Sequence, residues 1–240
     1  MSILSELLRD IRALVLPPAC PVCGGRLLPG ERGFCTLCRA TAPLTGYWNE
    51  ADNPVFRKFW GQVPVERASG FLFFVHGSPW RRMIHGFKYF GAWRSARAAG
   101  GWYGSYLAES GLYAEVDVVV PLPLHPLKRL RRGYNQSEYI AEGIAAQLGA
   151  EVDRRSVRRS RNTASQALKS HRERPDNVAG AFAVRHPQRL AGRHILLVDD
   201  VMTTGSTLIA CIEAILRDVP DCRVSVAVLA VPRREIGVKE

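Results

Sequence analysis

At 240 residues and 47% hydrophobic, the chain is long enough for one substantial core with room for a small extra module. No stretch approaches the roughly 20 consecutive apolar residues of a membrane span, so no spanning helix is expected. The formal net charge of +11 points to an anionic partner, whether nucleic acid, polyphosphate or acidic surface, with a merely solvated basic face as the plain alternative.

At the start, Ile3, Leu4, Leu7, Leu8, Ile11, Leu14 and Val15 recur at helical spacing. Glu6, Arg9, Asp10 and Arg12 interrupt them, whereas a secretory leader needs an unbroken apolar run. A cytoplasmic location with reduced thiols is therefore expected. Next comes "CPVCGGRLLPGERGFCTLC", which holds Cys20, Cys23, Cys35 and Cys38 as two C-x-x-C pairs. Each pair can form a tight knuckle that aims two thiolates at one point, and two knuckles complete a tetrahedral zinc site. Gly24, Gly25 and Gly33 suit the turns. With all four ligand positions filled, such zinc is structural; two disulfides or unrelated buried thiols are the alternative, the disulfides disfavoured where thiols stay reduced. The segment is too short to bury a core of its own, so metal would largely substitute for one. The expected organisation is a helix plus zinc-ribbon or double-knuckle module over 1–45 and a larger domain over 46–240. Residues 42–54, "APLTGYWNEADNP", read as a connector rich in turn formers.

Beyond it, "SGFLFFV", "VDVVVPLP", "HILLVDD" and "RVSVAVLAV" are short, continuous apolar runs that suit strands buried on both faces. Ile140, Ile144 and Leu148 share one helical face, as do Leu208, Ile209, Ile212, Ile215 and Leu216. Cys211 falls inside the second pattern as a small buried hydrophobe. Strands alternating with helices predict an α/β fold with a parallel sheet flanked by helices.

One turn in this pattern carries chemistry. In "VDDVMTTGST" the strand delivers Asp199 and Asp200 to the carboxyl edge of the sheet, where ligands of parallel sheets bind. Thr203, Thr204, Gly205, Ser206 and Thr207 then open a helix, whose free N–H groups and neighbouring hydroxyls favour a phosphate. Acids beside a phosphate cradle must face something else, either sugar hydroxyls or a divalent cation. A sugar phosphate satisfies both halves of the loop.

The stretch "ILLVDDVMTTGST" resembles the phosphoribosyl pyrophosphate (PRPP) motif of type I phosphoribosyltransferases. The resemblance implies a phosphoribosyltransferase-like domain that takes PRPP with Mg2+. Asp199 and Asp200 would hold the ribose hydroxyls, and residues 203–207 the 5′-phosphate. Thr203 stands where purine-salvage members commonly carry an acid, which speaks against purine salvage. "FKYFG", "PLPLHPLKRLRRGYNQ", "RNTASQ" and "RPDNVAGAF", together with the four-cysteine knuckle, are similar to the ComF family. That family is tied to natural competence, the uptake and processing of DNA for transformation. By this resemblance Lys88 and Tyr89 meet pyrophosphate, Lys88 acting with the two acids as catalytic group. "RNTASQ" would belong to a loop that closes over the site, and competence-machinery proteins such as a helicase would be partners.

Lys128, Arg129, Arg131 and Arg132 form a basic run, followed by Arg154, Arg155, Arg158, Arg159 and Arg161. Such residues suit single-stranded DNA through its phosphates, and Phe87, Tyr89, Phe90, Trp93 and Tyr134 can stack bases or fill a core. His125, between prolines, suits a structural turn better than acid–base work. Two functional readings stand side by side. One is an enzyme that hands phosphoribose to a nitrogen nucleophile, in DNA processing or in nucleotide metabolism. The other is a DNA-binding platform that senses PRPP without consuming it. Intact paired acids beside a phosphate cradle argue against a third, vestigial site.

Overall fold

The computed structural model describes residues 18–88, 91–159 and 180–237. In chain order its helices and strands are α1 (Thr36–Ala40), β1 (Ala68–Phe73), α2 (Pro79–Gly86), α3 (Trp93–Ser110), β2 (Val118–Pro121), α4 (Pro126–Arg132), α5 (Gln136–Leu148), β3 (Glu151–Val152), β4 (Val157–Arg159), β5 (Phe182–Val184), β6 (His194–Val201), α6 (Ser206–Asp218) and β7 (Arg223–Val231). The apolar runs form one five-stranded sheet in the order β1-β7-β6-β2-β3. All four pairings are parallel, with Val118 opposite Ile195 and Asp199 opposite Val228. β4 and β5 form a separate antiparallel pair.

Side chains alternate across the strands and feed two cores. Val119, Leu196, Val198, Ala227 and Leu229 face α2, α3 and α5. Val118, Val120, Ile195, Leu197, Val226 and Val228 face α6 and the β4–β5 pair. The result is three layers, helix–sheet–helix, as the continuous apolar runs imply. After β2 the chain moves through α4 and α5 to the β3 edge; after β6 it moves through α6 toward the other edge. The strand order diverges between β2 and β6, which is where doubly wound sheets open a ligand crevice.

α3 and α5 cross at backbone distance. A Cβ on Gly100 would sit 2.2 Å from the Ile140 carbonyl oxygen, and one on Gly143 would sit 2.3 Å from the Arg97 carbonyl oxygen. Glycine is required at this crossing by the approach of the neighbouring backbone, since neither residue has a positive φ.

The cysteine module packs into the first core. Phe34, fully buried, lies 5.4 Å from Trp80 and 5.6 Å from Trp102, ring centre to ring centre. Arg39 sits over Trp102 at 5.0 Å. Cys20, Val22 and Cys38 share that core, so among the described residues metal is not the module's sole source of buried structure. The connector differs from its expectation in the same way. Tyr47 and Trp48 are buried, Leu44 bridges Leu72, and the buried Asn53 donates to the Ala68 carbonyl at 2.8 Å. A stretch rich in turn formers lacks periodicity, yet tertiary contacts anchor its aromatic residues.

Candidate functional site

β6 ends with Asp199 and Asp200 at the mouth of the crevice. Asp200 is 5% exposed, and its neighbour is partly buried. Asp199 Oδ1 accepts from Ser137 Oγ at 3.0 Å and from the Asp200 N–H at 2.8 Å. Asp200 Oδ1 accepts from the Val201 N–H at 2.9 Å, and its Oδ2 accepts from Gln136 Nε2 at 3.2 Å. Lys88 Nζ stands 3.4 Å from Asp200 Oδ2. Burial, and next the adjacent Asp200 charge, raise the pKa of the Asp199 carboxyl.

Past the acids, Thr203, Thr204, Gly205, Ser206 and Thr207 line a small polar hollow together with Asp199. Gly205 caps α6 at φ +83° and contributes no side-chain cap. Thr204 Oγ1 and Ser206 Oγ lie 3.1 Å apart. The first N–H groups of α6 therefore meet a loop of exposed hydroxyls, the arrangement that suits a phosphate oxygen.

Across the crevice stands the segment that follows β2. His125 caps α4, its Nδ1 accepting from the Leu127 N–H at 3.3 Å, which is the structural turn role. None of the α4 side chains is buried. Lys128 has its pKa lowered first by partial burial and then by Arg159, Arg132 and Lys88, so these four cations face one region. Arg159, at the end of β4, has its pKa lowered by burial against the opposing Asp199 charge, and it lies over the Phe182 ring at 5.3 Å. Arg129 is not available in the same way: it forms a salt bridge to Glu138 at 2.9 Å. Arg131 is exposed, and Arg132 reaches Gln136 Oε1 at 3.4 Å. Of the aromatic candidates, Phe87 is core, and its carbonyl accepts the Tyr134 hydroxyl. Trp93 packs on Tyr139 at 5.4 Å. Tyr89, Phe90 and the stretch "RNTASQ" lie outside the described residues, as does the N-terminal helical pattern.

Asn135, Gln136 and Ser137, all at most 4% exposed, were not singled out as site residues by the sequence. The signal is there: Asn135, Gln136, Ser137 and Glu138 put four polar residues in a row ahead of the apolar stripe that begins at Ile140. Asn135 caps α5 through the Ser137 N–H and also donates to the Leu122 carbonyl at 3.0 Å, tying the helix start to the end of β2. The next two side chains are thereby aimed at the acids.

The second constellation is the cysteine cluster. The ligand atoms of Cys20, Cys23, Cys35 and Cys38 all lie within 4.8 Å of one another, with Cys23 and Cys35 Sγ 3.8 Å apart. Tetrahedral sulfur ligands at about 2.3 Å from zinc lie about 3.8 Å apart, so the four atoms can hold a metal ion. At Cys20, burial opposes ionisation, but backbone N–H groups led by that of Cys35 bring the thiol down to about 7. Burial raises Cys38 instead, with the neighbouring thiols adding to it. A bound cation would remove that difference by deprotonating all four.

Comparison with known proteins agrees with this geometry. Residues 135–240 match the phosphoribosyl transferase domain family. Over 102 residues, 42% of this chain and 44% of the relative, the sequence is 38% identical to the DNA utilization protein YhgH of Escherichia coli (strain K12). Over 93 residues, 38% of this chain and 41% of the relative, it is 33% identical to Competence protein F of Haemophilus influenzae. The helix-flanked parallel sheet is thus a phosphoribosyltransferase-type fold, and its sequence is similar to those DNA utilization and competence proteins. It spans less than half the length of the curated relatives it matches. Among solved structures, glutamine PRPP amidotransferase of B. subtilis aligns with 60% of this chain and 30% of its own, at 18% identity and a TM-score of 0.38. No helix among the described residues is long and apolar enough to cross a membrane.

Proposed function

We propose that the crevice between β2 and β6 binds PRPP with Mg2+ and that the protein serves DNA utilisation in natural transformation. One observation carries the reading: paired acids at the end of β6 stand directly beside a hydroxyl-lined helix start whose glycine N-cap offers no side-chain acceptor. The acids suit the ribose hydroxyls, and the helix start suits the 5′-phosphate. Lys88, Lys128, Arg132 and Arg159 supply the positive charge that a pyrophosphate needs. Mg2+ fits the donor set, because the two carboxylates and the loop hydroxyls are all hard oxygen ligands. In turnover, pyrophosphate leaves ribose C1 with the bonding electrons, the cations stabilise it, and a nitrogen nucleophile takes its place. The relatives' names place them in DNA utilisation and competence, which supports a DNA-related role here. A structural zinc in the four-cysteine cluster completes the reading, on the strength of the sulfur spacing.

A second reading rests on α4. Its cations project from a helix with no buried side chain, a face suited to single-stranded DNA, so the PRPP site would then act as a sensor. Calorimetric titration tests both. Mg–PRPP should bind the intact protein and fail to bind the D199N/D200N double variant; no binding to the intact protein sinks the PRPP reading. Single-stranded oligomers titrated at two salt concentrations should lose affinity as salt rises, and salt-insensitive or absent binding sinks the DNA face.

A further inference from the structure

The lone pairs of the two acids can be counted. An ionised carboxylate offers about two acceptor positions on each oxygen. Asp199 Oδ1 is filled by Ser137 Oγ and the Asp200 N–H. Asp200 Oδ2 is filled by Gln136 Nε2 and Lys88 Nζ. Apart from the contact between the two carboxyls themselves, Asp200 Oδ1 takes only the Val201 N–H, and no hydrogen bond among the described residues reaches Asp199 Oδ2. One oxygen of each acid is thus saturated by the protein, and one oxygen of each is left with room for a donor.

We infer that Gln136 and Ser137 are positioning residues that determine sugar specificity: by filling one oxygen on each acid, they leave a two-acceptor fork matched to a vicinal diol. The inference rests on the PRPP reading and deepens it, since it names which sugars the site accepts. A ribose presents two adjacent hydroxyls and can place one on each free oxygen. A 2-deoxyribose presents one and leaves the second carboxylate oxygen desolvated and unpaired, which is the costly case. Without the Ser137 hydroxyl the Asp199 carboxyl is free to rotate, either oxygen can turn outward, and the fork is no longer fixed. Gln136 fixes Asp200 in the same way, and Arg132 steadies the Gln136 amide from the other side at 3.4 Å.

Lys88 beyond α2, Arg159 from β4 and the Cys211 thiol from α6 also act on the acids, and all three remain in every variant. A change in sugar preference on removing one uncharged donor therefore reports geometry.

The test compares affinities for ribose 5-phosphate and 2-deoxyribose 5-phosphate by calorimetry, with inorganic phosphate as a common reference. The intact protein should favour the ribose by about tenfold, the worth of one hydrogen bond to a charged group. Ser137→Ala and Gln136→Leu should lower that ratio toward one while phosphate affinity stays unchanged, which also shows that the loop is still folded. Ser137→Thr keeps the hydroxyl and should restore the preference. If the intact protein discriminates and the variants keep the same ratio, the inference is wrong while the site reading survives. Failure of the intact protein to bind either sugar phosphate overturns both.

Discussion

The imidazole of His194 couples one side chain to the stability of the molecule. It is 4% exposed at the start of β6, with Nε2 2.9 Å from Ser225 Oγ. Its Nδ1 is buried without a hydrogen bond among the described residues. Burial, and then the Arg223 charge, lower its pKa against the pull of Glu66, Asp117 and Glu115. The native state therefore holds fewer protons at this site than the unfolded chain. The contribution of His194 is full above the unfolded value of about 6.5 and is lost as pH falls below it, by at most about 1.4 kcal/mol per pH unit. Asp199, with its pKa raised, works in the opposite sense and strengthens the native state as pH falls. Urea unfolding of the wild type and His194→Gln between pH 7.5 and 5 separates the two: the wild type should lose more stability than the variant on acidification, and parallel curves would contradict this account. At this scale the sequence announces Asp199 and Asp200, because the strand-end position and the hydroxyl loop are local. It does not announce Gln136 or Ser137, and it marks Arg159 only as part of a basic run, because their places beside the acids depend on a crevice closed by segments about 60 and 40 residues away along the chain.

Among the elements, the crossing of α3 and α5 is the tightest joint. Gly143→Ala would gain about 1 kcal/mol of helix propensity. That gain is outweighed, since the new methyl would meet the Gly101 amide nitrogen at 2.4 Å and the Arg97 carbonyl oxygen at 2.3 Å, both backbone atoms that move only with their helix. A net loss of about 2–3 kcal/mol is expected from such overpacking. Because α5 also carries Gln136 and Ser137, sugar-phosphate affinity should fall with it; thermal unfolding and titration of the variant check both. Legibility varies by element for a physical reason. β1, β2, β6 and β7 are read directly, since strands buried on both faces leave continuous apolar runs in the chain. α5 and α6 follow from their stripes. α3, the longest helix described, has a faint stripe: beside Trp102, Tyr103 and Leu107 its sequence "WRSARAAGGWYGSYLAES" buries Ala96, Ala99, Gly100 and Gly104, which are too small to mark a face. β3, β4 and β5 are two or three residues long and carry too little pattern to read.

At the scale of the whole molecule, the cysteine module and the sheet domain behave as one packed body through Phe34, Trp80 and Trp102. Stripping metal from the cluster with a strong chelator should therefore lower the melting temperature of the entire chain in one transition, with a change in tryptophan emission. A loss of about 3 kcal/mol corresponds to roughly 10 °C in a protein of this size. Two separate transitions, with the main one unmoved, would show instead that the module is energetically independent.

The ion pairs have a consequence for how a ligand arrives. At the amino ends of the strands, Arg223 is matched by Glu115 at 2.7 Å, and Arg189 and Arg193 are both matched by Glu151. Positive charge at that edge is largely cancelled in place. At the opposite edge Lys88, Lys128, Arg132 and Arg159 face one region, with Lys88 paired to Asp200. Among the described residues the two edges of the sheet therefore differ in charge along the strand axis. A polyanion in solution feels a torque as well as an attraction, and it meets the crevice end first.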